Sequence, residues 1–139
     1  MPDNTFNVPV TVTDQRISDL LCNALEGGSN YWYTITAYTK PTEMVFQCMA
    51  DTLPTQIFKH IDYPMNPGGS ITIGDREDGR PHGAVFINSV ITKEVLLQGL
   101  RVMSEKYPRH FADFIAENDD AETGDVFLQC CCFGEIVYG

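Results

Sequence analysis

The sequence predicts an α+β fold: a small, mostly antiparallel sheet packed by one N-terminal helix and about three C-terminal helices. Three observations lead there. Apolar residues recur with helical period after Thr13 and again through the last third of the chain. Stretches rich in Tyr, Thr, Ile and Val lie between them. Two of these stretches, SITIG and GAVFINSV, flank the charged linker DREDGRPH, which is a hairpin signal. At 139 residues and 43% hydrophobic content, the chain can bury a core as one domain spanning 1–139, with 1–7 a loose N-terminus.

The elements follow in order. Val8 to Val12 alternates as a short strand, held to a sheet edge by Pro9. Thr13 is a suitable N-cap for a helix whose apolar stripe is Ile17, Leu20, Leu21, Ala24 and Leu25. Gly27 should end that helix as its C′ residue. The β-favouring residues 31–39 should then form a strand. Alternation would put Tyr31, Tyr33, Ile35 and Ala37 on the face toward the helices, and Trp32, Thr34, Thr36 and Tyr38 on the wetter face. Residues 42–51 lean toward a strand, and residues 57–69, with two prolines and two glycines, read as an irregular connection.

The remainder reads as helical. Thr92 caps a helix that turns Leu96, Leu97, Leu100 and Met103 to one side. Pro108 opens the next, which presents Phe111, Phe114 and Ile115. Asp119 and Glu122 resemble a capping box for a last helix with Val126, Phe127, Cys130, Cys131 and Gly134 on one face.

Composition limits the function classes. The formal net charge is −10, which disfavours non-specific binding to nucleic acid or to an anionic membrane. Such acidity either keeps the chain in solution or suits a protein that occupies a basic, nucleic-acid-handling groove. No apolar run approaches the ~20 residues of a membrane helix, and MPDNTFNVPV lacks the basic and apolar regions of a signal peptide. Five cysteines, three of them adjacent at 130–132, read as free thiols, since neighbours on a helix point apart and cannot share a metal.

No Walker loop, G-x-G-x-x-G, G-x-S-x-G or H-E-x-x-H occurs, so no catalytic residue, cofactor or metal is assigned. A Cys–His pair brought together only by the fold stays open, as does a small nucleotide-acting enzyme. Three candidate binding patches remain. Glu26, Ser29, Asn30 and Trp32 would crowd one end of the sheet, where Gly27 and Gly28 let a partner approach; a Trp32 covered between copies would instead mark a homo-oligomer interface. Arg109 and His110, after Lys106, lie at a helix start that could hold a phosphate, or could form salt bridges with Glu105 and Asp113. The acidic stretch containing Asp113, Glu117, Asp119, Asp120, Glu122 and Asp125 lacks EF-hand spacing; it is either a favourably charged helix start or a docking face for a basic partner.

The segments TDQRISDLLCNALEGGSNYWY, HIDYPMNPGG and EKYPRHFADFIAENDDAETGDVFLQCCCFGEIVYG resemble a group of small bacteriophage- and prophage-encoded accessory proteins. The resemblance transfers no catalytic residue. It implies a setting, the cytoplasm of an infected bacterial host, and antagonism of a host defence component as the expected role. The partner would be a host protein; the alternative is a sponge for a small nucleotide signal, stacking a base on Trp32 and binding phosphate through Arg109.

Overall fold

In a computed structural model that describes residues 4, 6, 8–47, 60–75 and 88–139, the chain begins its regular structure at Thr13. The Thr13 hydroxyl accepts from the Arg16 amide at 3.2 Å and starts helix α1, Asp14–Asn23. The stripe predicted for this helix is buried in full, from Ile17 to Leu25. Residues 8–12 are exposed or half-buried and belong to no strand, against the alternating pattern. Pro9 cannot donate to a ladder, and four of these five positions carry no burial to reward pairing.

Gly27 does not end the helix. The last turn of α1 widens into a π turn, Ala24–Gly28, closed by the Ser29 amide on the Ala24 carbonyl at 2.8 Å. Close packing explains the placement of glycine here. A Cβ on Gly28 would overlap the Ala121 carbonyl, and one on Gly124 would lie 2.6 Å from the Ala24 amide nitrogen. The two segments touch backbone to backbone.

Among the described residues the sheet has three antiparallel strands in the order β1-β2-β3: β1, Tyr33–Thr39; β2, Ser70–Asp75; β3, Asn88–Ile91. The predicted architecture of sheet, N-terminal helix and three C-terminal helices is thus present. The central strand presents Ile71 and Ile73 to the core, with Ile91 of β3 opposite Ile71. The linker 76–87, with the start of the second apolar run, and residues 48–59 lie outside the described residues. Residues 42–47 take no regular form. Their course is held by Asn66, whose side chain accepts from the Val45 and Phe46 amides at 2.7 Å each and donates to the Phe46 carbonyl at 2.9 Å. Residues 60–69 are irregular as predicted, apart from a 3₁₀ turn at Tyr63–Met65.

Two departures in β1 bear on the site. The strand starts at Tyr33, so Ser29 to Trp32 form a turn, with the Trp32 and Tyr33 amides both donating to the Ser29 carbonyl at 3.0 and 3.1 Å. Alternation therefore does not govern residues 31 and 32. Trp32 is 0% exposed and Tyr33 6%, while Tyr31 is 47% exposed, the reverse of the predicted order for Tyr31 and Trp32. A bulge between Ile35 and Ala37 then shifts the register, placing Tyr38 opposite Ile71 and leaving Ala37 exposed.

Thr92 caps α2, Lys93–Lys106, through the Val95 amide at 3.3 Å. Leu96, Leu100 and Met103 are buried but Leu97 is exposed; Gly99 holds the inner position instead, because a Cβ there would overlap Cys131. Pro108 opens α3, Pro108–Ile115, which buries Phe114, half-buries Phe111 and leaves Ile115 exposed. The last helix, α4, Ala121–Phe133, is capped by Asp120 rather than Asp119, through the Thr123 amide at 3.0 Å. It is buried all round from Thr123 to Cys130, because α1, α2, α3, the π turn and β3 all pack on it. Gly134 is not part of its packed face; at φ 74° it is the left-handed cap that ends the helix.

Candidate functional site

The π turn, the start of β1 and the first two turns of α4 converge on one carboxylate. Asp125 faces inward from α4, and its Oδ1 accepts from the Ser29 hydroxyl and the Trp32 indole N–H, both at 2.8 Å. Its Oδ2 accepts from the Tyr31 hydroxyl at 2.7 Å. Three neutral donors therefore solvate a buried anion, which is the condition under which burial of a charge is tolerated. The bond makes the inward orientation of Trp32 possible, because it gives the buried indole N–H an acceptor beneath α4 in place of water.

One turn further along α4, Gln129 continues the network. Its Oε1 accepts from the Val137 and Tyr138 amides at 2.7 and 2.8 Å, and its Nε2 donates to the Tyr138 carbonyl at 3.2 Å. The Tyr138 hydroxyl donates to Asp75 of β2 at 2.9 Å, and its ring stacks on Trp32 at 5.3 Å between centroids and 12° between planes. Phe133 lies 5.4 Å from Trp32 and 5.7 Å from Tyr138. Burial first, then the hydrogen bond and charge of Asp125, raise the Tyr31 phenol well above its ordinary value. Tyr31 is accordingly a donor here and no base.

The first predicted patch is thus divided. Ser29 and Trp32 are internal, and Trp32 offers no free face for a stacking base. Glu26 and Asn30 are exposed, joined by a 3.1 Å bond from the Asn30 side-chain Nδ2 to the Glu26 main-chain carbonyl. The contact of Gly28 with Ala121 carries them to the start of α4, where Asp120 and Glu122 are also exposed. The fold therefore unites Glu26 and Asn30 with the acidic patch, although some 90 residues separate the two in sequence.

Within that patch Asp119 is taken. It accepts from Arg16 at 2.8 Å and from Asn23 at 3.0 Å, while Arg16 also donates to the Phe114 carbonyl and covers the Phe114 ring at 4.7 Å. Asp120 is the helix cap, and the Thr123 amide holds its carboxyl below the usual range. With Glu117, 3.9 Å from Arg16, the exposed acids form a rim along the joint of α1 and α4.

The basic patch is not assembled as predicted. Lys106 turns away to the Gly134 carbonyl at 2.9 Å. Arg109 is exposed and His110 half-buried at the start of α3, and among the described residues Arg109 pairs with neither Glu105 nor Asp113. Cys130, Cys131 and Cys132 are free thiols. Burial pushes Cys130 up to about 11 and Cys132 up to about 12 and raises Cys131 well above its ordinary value, so none is poised as a nucleophile. Among the described residues no group of three or more His, Cys, Asp or Glu side chains could hold a metal, and no helix is long and apolar enough to cross a membrane.

Sequence reasoning missed Gln129 and the role of Asp125, which it grouped with the helix-start acids. A signal was present: Gln129 is the one polar residue within VFLQCCCF, and Asp125 adjoins the same apolar run. It also missed a groove of about 550 Å³ between the 64–70 loop and the start of α2, with the Lys93–Asp14 ion pair, 3.3 Å, in its wall. No protein-family model, curated protein or solved structure matches the chain.

Proposed function

We propose that this chain is a non-enzymatic binding protein, encoded by a phage or prophage, that acts in the cytoplasm of the bacterial host by antagonising a defence component with a basic, nucleic-acid-handling surface. The observation that carries the reading is the acidic rim. Glu26, Glu117, Asp120 and Glu122 are exposed along one joint of the fold, and Arg16 beside them is shared between Asp119 at 2.8 Å and Glu117 at 3.9 Å. A rim with this excess of carboxylates over its one shared guanidinium presents a net negative field, which steers a basic partner and speeds its association. The saturated carboxylate at Asp125 and the raised thiols support a binding role over a catalytic one.

The test is a chain carrying Glu26→Gln, Glu117→Gln and Glu122→Gln, which leaves the Asp120 cap in place. Each chain is expressed in strains that each carry one defence system, and the plating efficiency of a sensitive phage is measured. Wild type should restore plating in at least one strain and the triple variant should not, with both chains melting at the same temperature. Capture of the defence protein should slow as salt is added. Equal plating on both chains would reject the acidic rim as the contact surface, and no rescue by wild type in any strain would reject the antagonist role.

A further inference from the structure

The groove between the 64–70 loop and the start of α2, about 550 Å³, is of the size that takes a small molecule. Val45, Met65, Pro67 and Val90 give it apolar walls, and Asp14, Lys93 and Glu94 bring charge to it where α1 and α2 begin. It also holds an unsatisfied group. Ser70 lines the groove and is only 7% exposed, yet among the described residues its hydroxyl meets no hydrogen-bond partner. A bound molecule would supply that bond. Ile71 pairs with Ile91, so Ser70 comes level with Thr92 and beside Lys93.

The charges select the ligand. The Lys93 ammonium lies 3.3 Å from each Asp14 carboxylate oxygen, with the two side chains 42% and 41% exposed. Such a pair is weak in water, so opening it costs little. A ligand carrying only an anion would take Lys93 and the positive end of α2, but would strand Asp14 and face the Glu94 carboxylate. One carrying only a cation would take Asp14 and strand Lys93. A molecule with both signs on neighbouring atoms replaces both partners of the opened pair. We infer that this groove binds a small zwitterion with an apolar body, the chemistry of a free α-amino acid with a large apolar side chain. Its carboxylate sits on Lys93 at the start of α2 and accepts from the Ser70 hydroxyl. Its ammonium sits on Asp14, and its side chain lies against Val45, Met65 and Val90. The site shares no residue with the acidic rim, so either reading can fail without the other.

The experiment uses the full chain and three probes on one skeleton: L-phenylalanine, phenethylamine, which lacks the carboxylate, and hydrocinnamate, which lacks the ammonium. Binding is measured by isothermal titration calorimetry and located by amide NMR shifts. Wild type should bind phenylalanine with a Kd of about 1 mM, the strength expected of a ligand of its size. Each single-charge probe should bind roughly tenfold more weakly, having lost one charge-assisted bond. The shifts should centre on Gly69, Ser70, Val90 and Lys93. Ser70→Ala breaks no internal bond, so it should keep the melting temperature while weakening phenylalanine roughly fivefold. The preference should also switch: Lys93→Met should favour phenethylamine, and Asp14→Asn should favour hydrocinnamate. Absence of saturable phenylalanine binding up to about 20 mM would overturn the inference. So would equal binding of the three probes to wild type, or shifts that lie away from the groove.

Discussion

Replacing Asp125 with alanine should be among the most damaging single changes in this protein, and the structure sets the scale. Two of the three donors on its carboxylate, the Ser29 hydroxyl and the Trp32 indole N–H, are fully buried. Each stranded donor costs about 1–3 kcal/mol, giving roughly 2–6 kcal/mol for the pair. Removing a buried charge recovers part of its desolvation cost, which brings the expected loss to about 3 kcal/mol. Tyr31 provides the internal control. Tyr31→Phe leaves the two buried donors on Oδ1 in place and strands no donor, so its cost should stay under about 1 kcal/mol. The assay is urea unfolding followed by Trp32 emission. At a slope of about 2 kcal/mol per molar, the midpoint should fall by about 1.5 M for Asp125→Ala and by under about 0.5 M for Tyr31→Phe. An Asp125→Ala midpoint within about 0.3 M of wild type, or equal shifts for the two variants, would refute the view that this carboxylate organises the buried network.

Adjacent glycines should behave oppositely: Gly28→Ala drives a Cβ into the Ala121 carbonyl and should cost several kcal/mol, whereas Gly27→Ala meets nothing within 4 Å and should be neutral or stabilising by about 0.5 kcal/mol in thermal melts. Stability should fall in alkali. The folded values of Cys130 and Cys132 are raised above the ordinary 9.0, so the native state retains protons that the unfolded chain releases; their contribution is full below about pH 9 and is lost as pH rises toward 11 and 12, measurable as a falling urea midpoint. A thiol reagent at neutral pH should label Cys130 only as fast as the chain unfolds, read by peptide mass mapping; its rapid labelling in the native state would contradict its burial.

The helical framework was legible because helix signals are local. Thr13, Thr92 and Pro108 mark the starts of three helices, and the stripe from Ile17 to Leu25 is buried as its spacing requires. What escaped depends on contacts across the chain. Asp119 has the better capping-box spacing, yet Arg16 and Asn23, some hundred residues earlier, claim it and leave the cap to Asp120. Trp32 is free to turn inward because the strand begins one residue after it and Asp125 offers its indole an acceptor. Gly27 and Gly28 were read as an end and a point of access, but Gly28 is where the backbones of the π turn and α4 meet. Glu26, Asn30, Asp120 and Glu122 were each named from the sequence, in two separate patches; their union into one rim is a product of that contact.

The burial of α4 on every side has a consequence for how the protein is made. Among the described residues, α1, the π turn, β3, α2 and α3 all pack on this helix and all precede it in the chain. A ribosome that has translated as far as residue 120 has therefore produced α1, the sheet and α2 with their apolar faces uncovered, and with the Trp32 indole still lacking its acceptor. Vectorial synthesis cannot complete this core by stages, because nascent domains fold once their own contacts are available. The core must close around α4 in one event after these elements have been made. Until then the apolar faces stay open, and surface of that kind is what chaperones and proteases act on.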